Sequence, residues 1–200
     1  MQIDTIEKLE ALYGTPGQAS LVKVADRITP QYRAWIEAAP FCALTTVGPE
    51  GTDCSPRGDA GQVAYVESET CVAIPDRRGN NRIDALRNIV RDPRCSLMFL
   101  IPGSGTVIRI NGHGRIMADP DRLQRYTTRG AAPRSVLVIE VGEVYFQCAR
   151  AVMRAKLWTG TGSPAGLPSP GEILQSMSQG DIDGDVYDTQ WPGRAAKSMW

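Results

Sequence analysis

The apolar residues of this chain change their period near residue 40. Before it they recur every three or four positions. In "IDTIEKLEALYG", Ile6, Leu9 and Tyr13 fall on one helical face, Asp4 with Glu7 reads as a capping box, and Gly14 stops the run. In "TPQYRAWIEAAP", Thr29 is the expected cap, Pro30 suits the first helical position, and Pro40 ends the helix. After it the pattern alternates or becomes continuously apolar, as strands do. "FCALTTV" predicts a strand and "GPEG" a turn, and "TDCSPRGDAG" predicts a second, irregular and polar strand. "QVAYVE" and "TCVAI" read as short strands, "CSLMFLIP" as a buried one, and "TVIRINGHGRIMA" and "SVLVIEVGEVYFQC" as long ones.

Helical stretches interrupt these strands. "AIPDRRGNNRIDALRNIVRDP" begins as a strand, breaks at Pro75, and continues as a helix whose inner side is expected to carry Ile83, Leu86, Ile89 and Val90. Asp92-Pro93 closes that helix. Asp119-Pro120 opens a short helix through Tyr126, and "ARAVMRAKLW" reads as a helix or tight turn. From Thr159 onward the chain is rich in Gly, Pro, Ser and Asp, and it carries Trp191 and Trp200, which suit a tail draped over the body. Six or more antiparallel-type strands with inserted helices predict an α+β barrel.

Composition narrows the function classes. The chain has 200 residues, enough for one domain with a sizeable core. Its 22 basic and 22 acidic residues cancel, so no overall field draws it to nucleic acid or an anionic membrane, and any anion must be held by a local cluster. The five cysteines are widely spaced and contain no C-x-x-C, which reads as small buried hydrophobes in a reducing cytoplasm. The amphipathic N-terminal stretch is unlike a signal peptide, and no apolar run approaches membrane-spanning length.

Several motifs fail on inspection. "DIDGDVYD" alternates its aspartates like a calcium loop, but Val186 stands where such loops need Gly and Pro192 where they need Glu. His113 is the single histidine, lies between two glycines, and has no G-x-S-x-G elbow to serve. No Walker lysine loop or dinucleotide fingerprint is present. No metal site and no catalytic side chain are assigned.

The corner at Arg77–Arg82 carries the most chemistry. Unpaired backbone N–H groups at a helix start and the helix dipole attract anions. Asn80 or Asn81 suits the cap there, while Arg77, Arg78 and Arg82 add permanently charged, forked donors. Two readings stand on these residues alone: a phosphate site, or a solvated basic helix start partnered by Asp76 and Asp84.

The order "DCSPRGD", "AIPDRRGNNRIDALRNIVRDP", "CSLMFLIPG", "IRINGHGRI" and "VYFQCARAVMRAKLW" resembles the pyridoxamine 5′-phosphate oxidase-like flavoproteins, over roughly residues 20 to 160. The resemblance implies a six-stranded antiparallel Greek-key split β-barrel with flanking helices; this domain is expected at residues 1–158, with residues 159–200, from their composition and tryptophans, expected as an extension packed on it. It implies a homodimer with one FMN in each of two clefts at the subunit interface. Ser55 and Arg57 match the segment along the flavin ring. Ile74 and Pro75, with Asp76 and Arg77 after them, match the strand end beside the ribityl chain. Asn80, Asn81 and Arg82 match the phosphate-binding turn, and Arg154 and Trp158 the region that reaches the partner's flavin. The activity implied is that of a cytoplasmic FMN-dependent oxidoreductase with a small or nicotinamide donor. Alternatives are a non-catalytic flavin sensor, or a relative using a deazaflavin or haem. The basic ending of the parent oxidase is missing from "AAKSMW", which points away from oxidation of pyridoxamine phosphate itself.

Overall fold

The computed structural model describes residues 2–160 and 165–198; Trp200 lies outside them. Three helices open the chain: α1 (Ile6–Tyr13), α2 (Gln18–Val22) and α3 (Pro30–Glu37). A β-rich body follows: β1 (Phe41–Gly48), β2 (Gly51–Gly58), β3 (Tyr65–Ser68), β4 (Cys71–Asp76), α4 (Asp84–Arg91), β5 (Arg94–Leu100), β6 (Val107–Met117), α5 (Pro120–Arg125) and β7 (Ser135–Gln147). Three helices close it: α6 (Arg150–Arg154), α7 (Pro170–Met177) and α8 (Gly184–Ser198).

The strands form one antiparallel sheet of seven, not six, in the order β2–β1–β5–β6–β7–β4–β3. "QVAYVE" and "TCVAI" both contribute strands, which accounts for the additional one. The class is α+β and the sheet is a split barrel. Its edges are brought together by ion pairs from the first strand of the order to the region of the sixth: Arg57 on β2 meets Asp76 on β4 at 2.5 Å, and Arg77 meets Asp59 at 2.8 Å.

Alternation explains the interior. On β1, Cys42, Leu44 and Thr46 are buried, and on β5 so are Cys95, Leu97 and Phe99. The start of β7 is apolar without a break because both of its faces are covered. Leu137 and Ile139 enter the main core, while Val136 and Val138 pack with Ala73, Tyr126 and Leu123 in a second, smaller one. β6 and β7 slip register at Asn111/Gly112, leaving Gly142 as an extra residue in β7. Such a bulge bends and twists a strand pair, which helps curl the sheet.

Helix caps agree with expectation at Thr29 and Asp119, whose side chains accept from the Tyr32 and Arg122 amides. Two expectations are corrected. α1 is capped by Thr5, one residue after Asp4. α4 turns Ala85 and Ile89 inward, while Ile83 and Val90 are exposed, because the helix begins only at Asp84. The described part of the tail carries two helices: α7 has a full capping box between Ser169 and Glu172, and Asp183 of the apparent calcium loop accepts from the Val186 amide at the start of α8. All five cysteines are free thiols; Cys42 and Cys95 are buried as expected, and burial pushes their pKa values up to about 12 and about 11, whereas Cys54 and Cys148 are exposed. Among the described residues no helix is long and apolar enough to cross a membrane.

Candidate functional site

The interior face of the barrel turns polar at its edge strand. β1 and β2 pair antiparallel, with Cys42 opposite Arg57, Leu44 opposite Ser55 and Thr46 opposite Asp53. Directly opposite residues share a face, so Asp53, Ser55 and Arg57 continue the face on which β1 buries its core residues. Pro56, which points the other way, is tolerated because β2 is an edge strand. These side chains form one wall of a cavity of about 630 Å³. The strand end Pro75–Asp76, residues 77–83 and the first turn of α4 form the facing wall, and Arg134, Ser135 and Trp191 also border the space.

The basic corner has unusual backbone. Asn81 (φ 63°) and Ile83 (φ 46°) are both left-handed. Asn adopts that conformation readily, but a β-branched residue there is strained, of order 1–3 kcal/mol. Asn80 Oδ1 accepts from the Arg82 amide at 3.0 Å, and Asn81 Oδ1 accepts from the Arg134 guanidinium at 2.6 Å. The two asparagines therefore shape the turn, an Asx-type use, and do not cap the helix as expected. The N-cap of α4 is Ile83, which has no side chain able to accept, so the first-turn amides at the cavity have no side-chain cap. The exposed Arg82 side chain donates to Asp84 at 2.5 Å.

Arg77 is the opposite case. Its side chain is 11% exposed and that of Asp59 5%. Its Nε donates to Asp59 at 2.8 Å and its Nη1 to the Tyr126 carbonyl at 2.6 Å. Behind it, the Tyr126 hydroxyl and the Arg122 guanidinium both donate to Glu67, at 2.5 and 2.7 Å. Burial alone would raise the Glu67 pKa, but these hydrogen bonds outweigh it and hold the carboxyl below its ordinary 4.5. Burial, with the Glu67 contact, raises the Tyr126 phenol. A depressed carboxylate adds stability above its unfolded pKa and loses it as the pH falls through the folded value. Urea unfolding at a series of pH values should therefore show stability falling as the pH drops below 4.5, with part of that slope removed by Glu67→Gln. An identical slope in the variant would exclude Glu67 as its source.

Nine sequence-predicted residues border the cavity together: Ser55, Arg57, Pro75, Asp76, Arg77, Arg78, Asn80, Asn81 and Arg82. Ile74 does not; it is 2% exposed and belongs to the main core. Arg154, on α6, and Trp158 are also outside this chain's cavity, and the Trp158 indole donates to the Ser104 carbonyl at 2.6 Å. Asp53, Asp59, Arg134 and Trp191 border the cavity without having been predicted. Asp53 was within reach of period-two reasoning, since it lies two residues before Ser55 on one strand face.

A curled antiparallel sheet with a polar, arginine-walled cleft at its split is a split barrel. The family model described as pyridoxamine 5′-phosphate oxidase matches residues 28–148, more than half the chain, and the chain belongs to that family. Among solved structures it is similar to HupZ from Group A Streptococcus (14% identity over 68% of this chain and 99% of that one, TM-score 0.49). It is also similar to an FMN-binding protein from Syntrophomonas wolfei subsp. wolfei (16% identity, 57% and 82% coverage, TM-score 0.43) and to an F420 reductase (18% identity, 60% and 98% coverage, TM-score 0.42). A search of curated proteins finds no match.

Proposed function

We propose that this chain binds FMN in the cavity between β2 and the start of α4 and works as an FMN-dependent oxidoreductase. One observation carries the reading. Asp53 Oδ2, Ser55 Oγ and Arg57 Nε are buried on the cavity side of β2 and have no hydrogen-bond partner among the described residues. Buried polar atoms without partners are costly, so such a set calls for a ligand or water. At about 3.3 Å per residue the row extends for roughly 13 Å. Its members differ in kind: a carboxylate oxygen that accepts, a hydroxyl that does both, and a guanidinium nitrogen that donates. A long ligand with alternating donors and acceptors along its edge, such as a flavin ring with its ribityl chain, suits that row.

The other end of the cavity suits a phosphate. The uncapped first turn of α4, Arg82 and Arg78 supply positive potential, and Asn80 and Asn81 retain their amide N–H groups as donors. Pro75 and Asp76 stand between the two ends. When bound, the flavin supplies the electron chemistry of the reaction. The chain's own residues orient it and screen its polar edge from bulk water. His113, exposed on β6, does not border the cavity, so the haem alternative finds no histidine ligand there. In this reading two copies form a homodimer, and Arg154 and Trp158 of one copy serve the cavity of the other. The FMN-binding and reductase names of two similar structures are in keeping with a flavin or deazaflavin ligand.

The test has two parts. Chromophore released by denaturing the purified protein should have the mass of FMN, and another mass would overturn the assignment. Arg82→Ala should then raise the FMN dissociation constant by roughly ten-fold, since a charged hydrogen bond contributes about 1.5–3 kcal/mol and an exposed group sits at the low end of that range. Arg91→Ala, at the far end of α4 and paired with Glu50, should leave it unchanged. Equal constants for the two variants would remove the phosphate from this corner.

A further inference from the structure

Trp191 borders the same cavity as the arginine corner, yet it comes from α8, outside the residues that match the family. Its surroundings are organised. Tyr187, one helical turn earlier, lies nearly parallel to it, with ring centroids 6.1 Å apart and planes 13° apart. The Arg194 guanidinium stands 4.5 Å from the Tyr187 ring centroid and 5.9 Å from that of Trp191. The spacings of four and three residues put all three side chains on one face of the helix.

α8 is braced against α7. Asp188 accepts from the Ser169 hydroxyl and from the Gly171 amide, and Gln175 accepts from the Gly184 amide at 3.1 Å. α7 and α8 also approach backbone to backbone: a Cβ on Gly171 would lie 2.2 Å from the Gly184 carbonyl oxygen, so neither glycine can be enlarged without parting the helices. Despite this bracing Trp191 remains 52% exposed. A large aromatic ring half uncovered at the rim of a cavity leaves apolar area for a ligand to cover.

We propose that Trp191 is a ligand-binding residue, its indole lying against the flat ring of the molecule held in the cavity, and that the α7–α8 pair is a side wall of the site. The proposal rests on the flavin reading above and adds to it a ring contact from the C-terminal extension. A ring contact and a phosphate contact have different signatures. The indole should act on any ligand with the tricyclic ring, with or without phosphate. Arg82 should act only on the phosphorylated one.

The experiment titrates the full-length chain, freed of flavin, with FMN and separately with riboflavin, following flavin fluorescence. Trp191→Ala should weaken both ligands by a similar factor, about three- to ten-fold, as expected for loss of an aromatic stacking contact. Trp191→Phe, which keeps a flat ring, should stay within about two-fold of wild type. Arg82→Ala should weaken FMN and spare riboflavin. Wild-type affinity for both ligands in Trp191→Ala would overturn the proposal while leaving the flavin reading in place. So would a Trp191→Phe variant as weak as Trp191→Ala, which would assign the loss to the packing of α8. A wild-type chain that binds neither ligand would overturn the flavin reading itself, and the proposal with it.

Discussion

Arg77→Ala will destabilise the protein by about 3–5 kcal/mol, the usual result of removing one member of a buried ion pair. Asp59, with its side chain 5% exposed, would lose the guanidinium and, among the described residues, keep only the Ala60 amide as a partner, at 2.8 Å. The Tyr126 carbonyl would lose its donor as well. The effect reaches further than one pair, because Arg77–Asp59 and Arg57–Asp76 close the split of the barrel at the cavity. The measurement is the urea midpoint of the variant, of Asp59→Ala, and of the double variant. Removal of both charges together should cost less than the sum of the single changes, since no lone buried charge then remains. Strict additivity, or a single change that leaves the midpoint in place, would show that this pair is not what holds the edges together.

Gly112→Ala is expected to be comparably severe for a different reason. A Cβ at Gly112 would sit 2.1 Å from the Glu140 carbonyl oxygen and 3.1 Å from its carbon. Both are backbone atoms of the neighbouring strand, so no side-chain rotation relieves the clash and the β6–β7 pairing must open beside its bulge. The cost should reach about 3 kcal/mol, the upper end for overpacking. Gly114→Ala makes the control. Its Cβ would meet Ile89 Cδ1 at 2.9 Å and Leu137 Cδ1 at 3.0 Å, the far ends of flexible side chains, and a loss of about 1 kcal/mol is expected there. Urea midpoints of the two variants that fall in the reverse order would show that the bulge tolerates a side chain. Because this bend helps carry β2 round toward β4, Gly112→Ala should also weaken flavin binding in any fraction that stays folded.

Much of this architecture was written locally. "FCALTTV" and "CSLMFLIP" were legible as strands, but not which of their side chains are buried: apolar Met98 is exposed and polar Thr46 is buried, because successive side chains point to opposite faces. "SVLVIEVGEVYFQC" was legible as a long strand, and its unbroken apolar start fits the cover the structure places on both faces. Thr29 and Asp119, each followed by proline, set the starts of α3 and α5, since a cap needs only its own side chain and the next turn's amides. "SPRGD" and "DRRGNNR" were recognisable as the chemically active segments, and both border the cavity.

Other features depend on residues far apart in the chain, and no local pattern carries them. Asn80 and Asn81 looked like caps, but Arg134, more than fifty residues later, takes up Asn81, and the chain turns left-handed at Ile83 before the helix begins. The buried pairing of Arg77 with Asp59, and the orphaned atoms of Asp53, Ser55 and Arg57, exist only because the curled sheet brings its first strand against its sixth. Trp191 reaches the cavity through α8, a helix that no apolar periodicity in the tail announced. Periodicity reports which face of an element is buried. What that face meets, and which polar atoms it leaves without partners, follows from how the sheet closes, and that is a property of the folded chain as a whole.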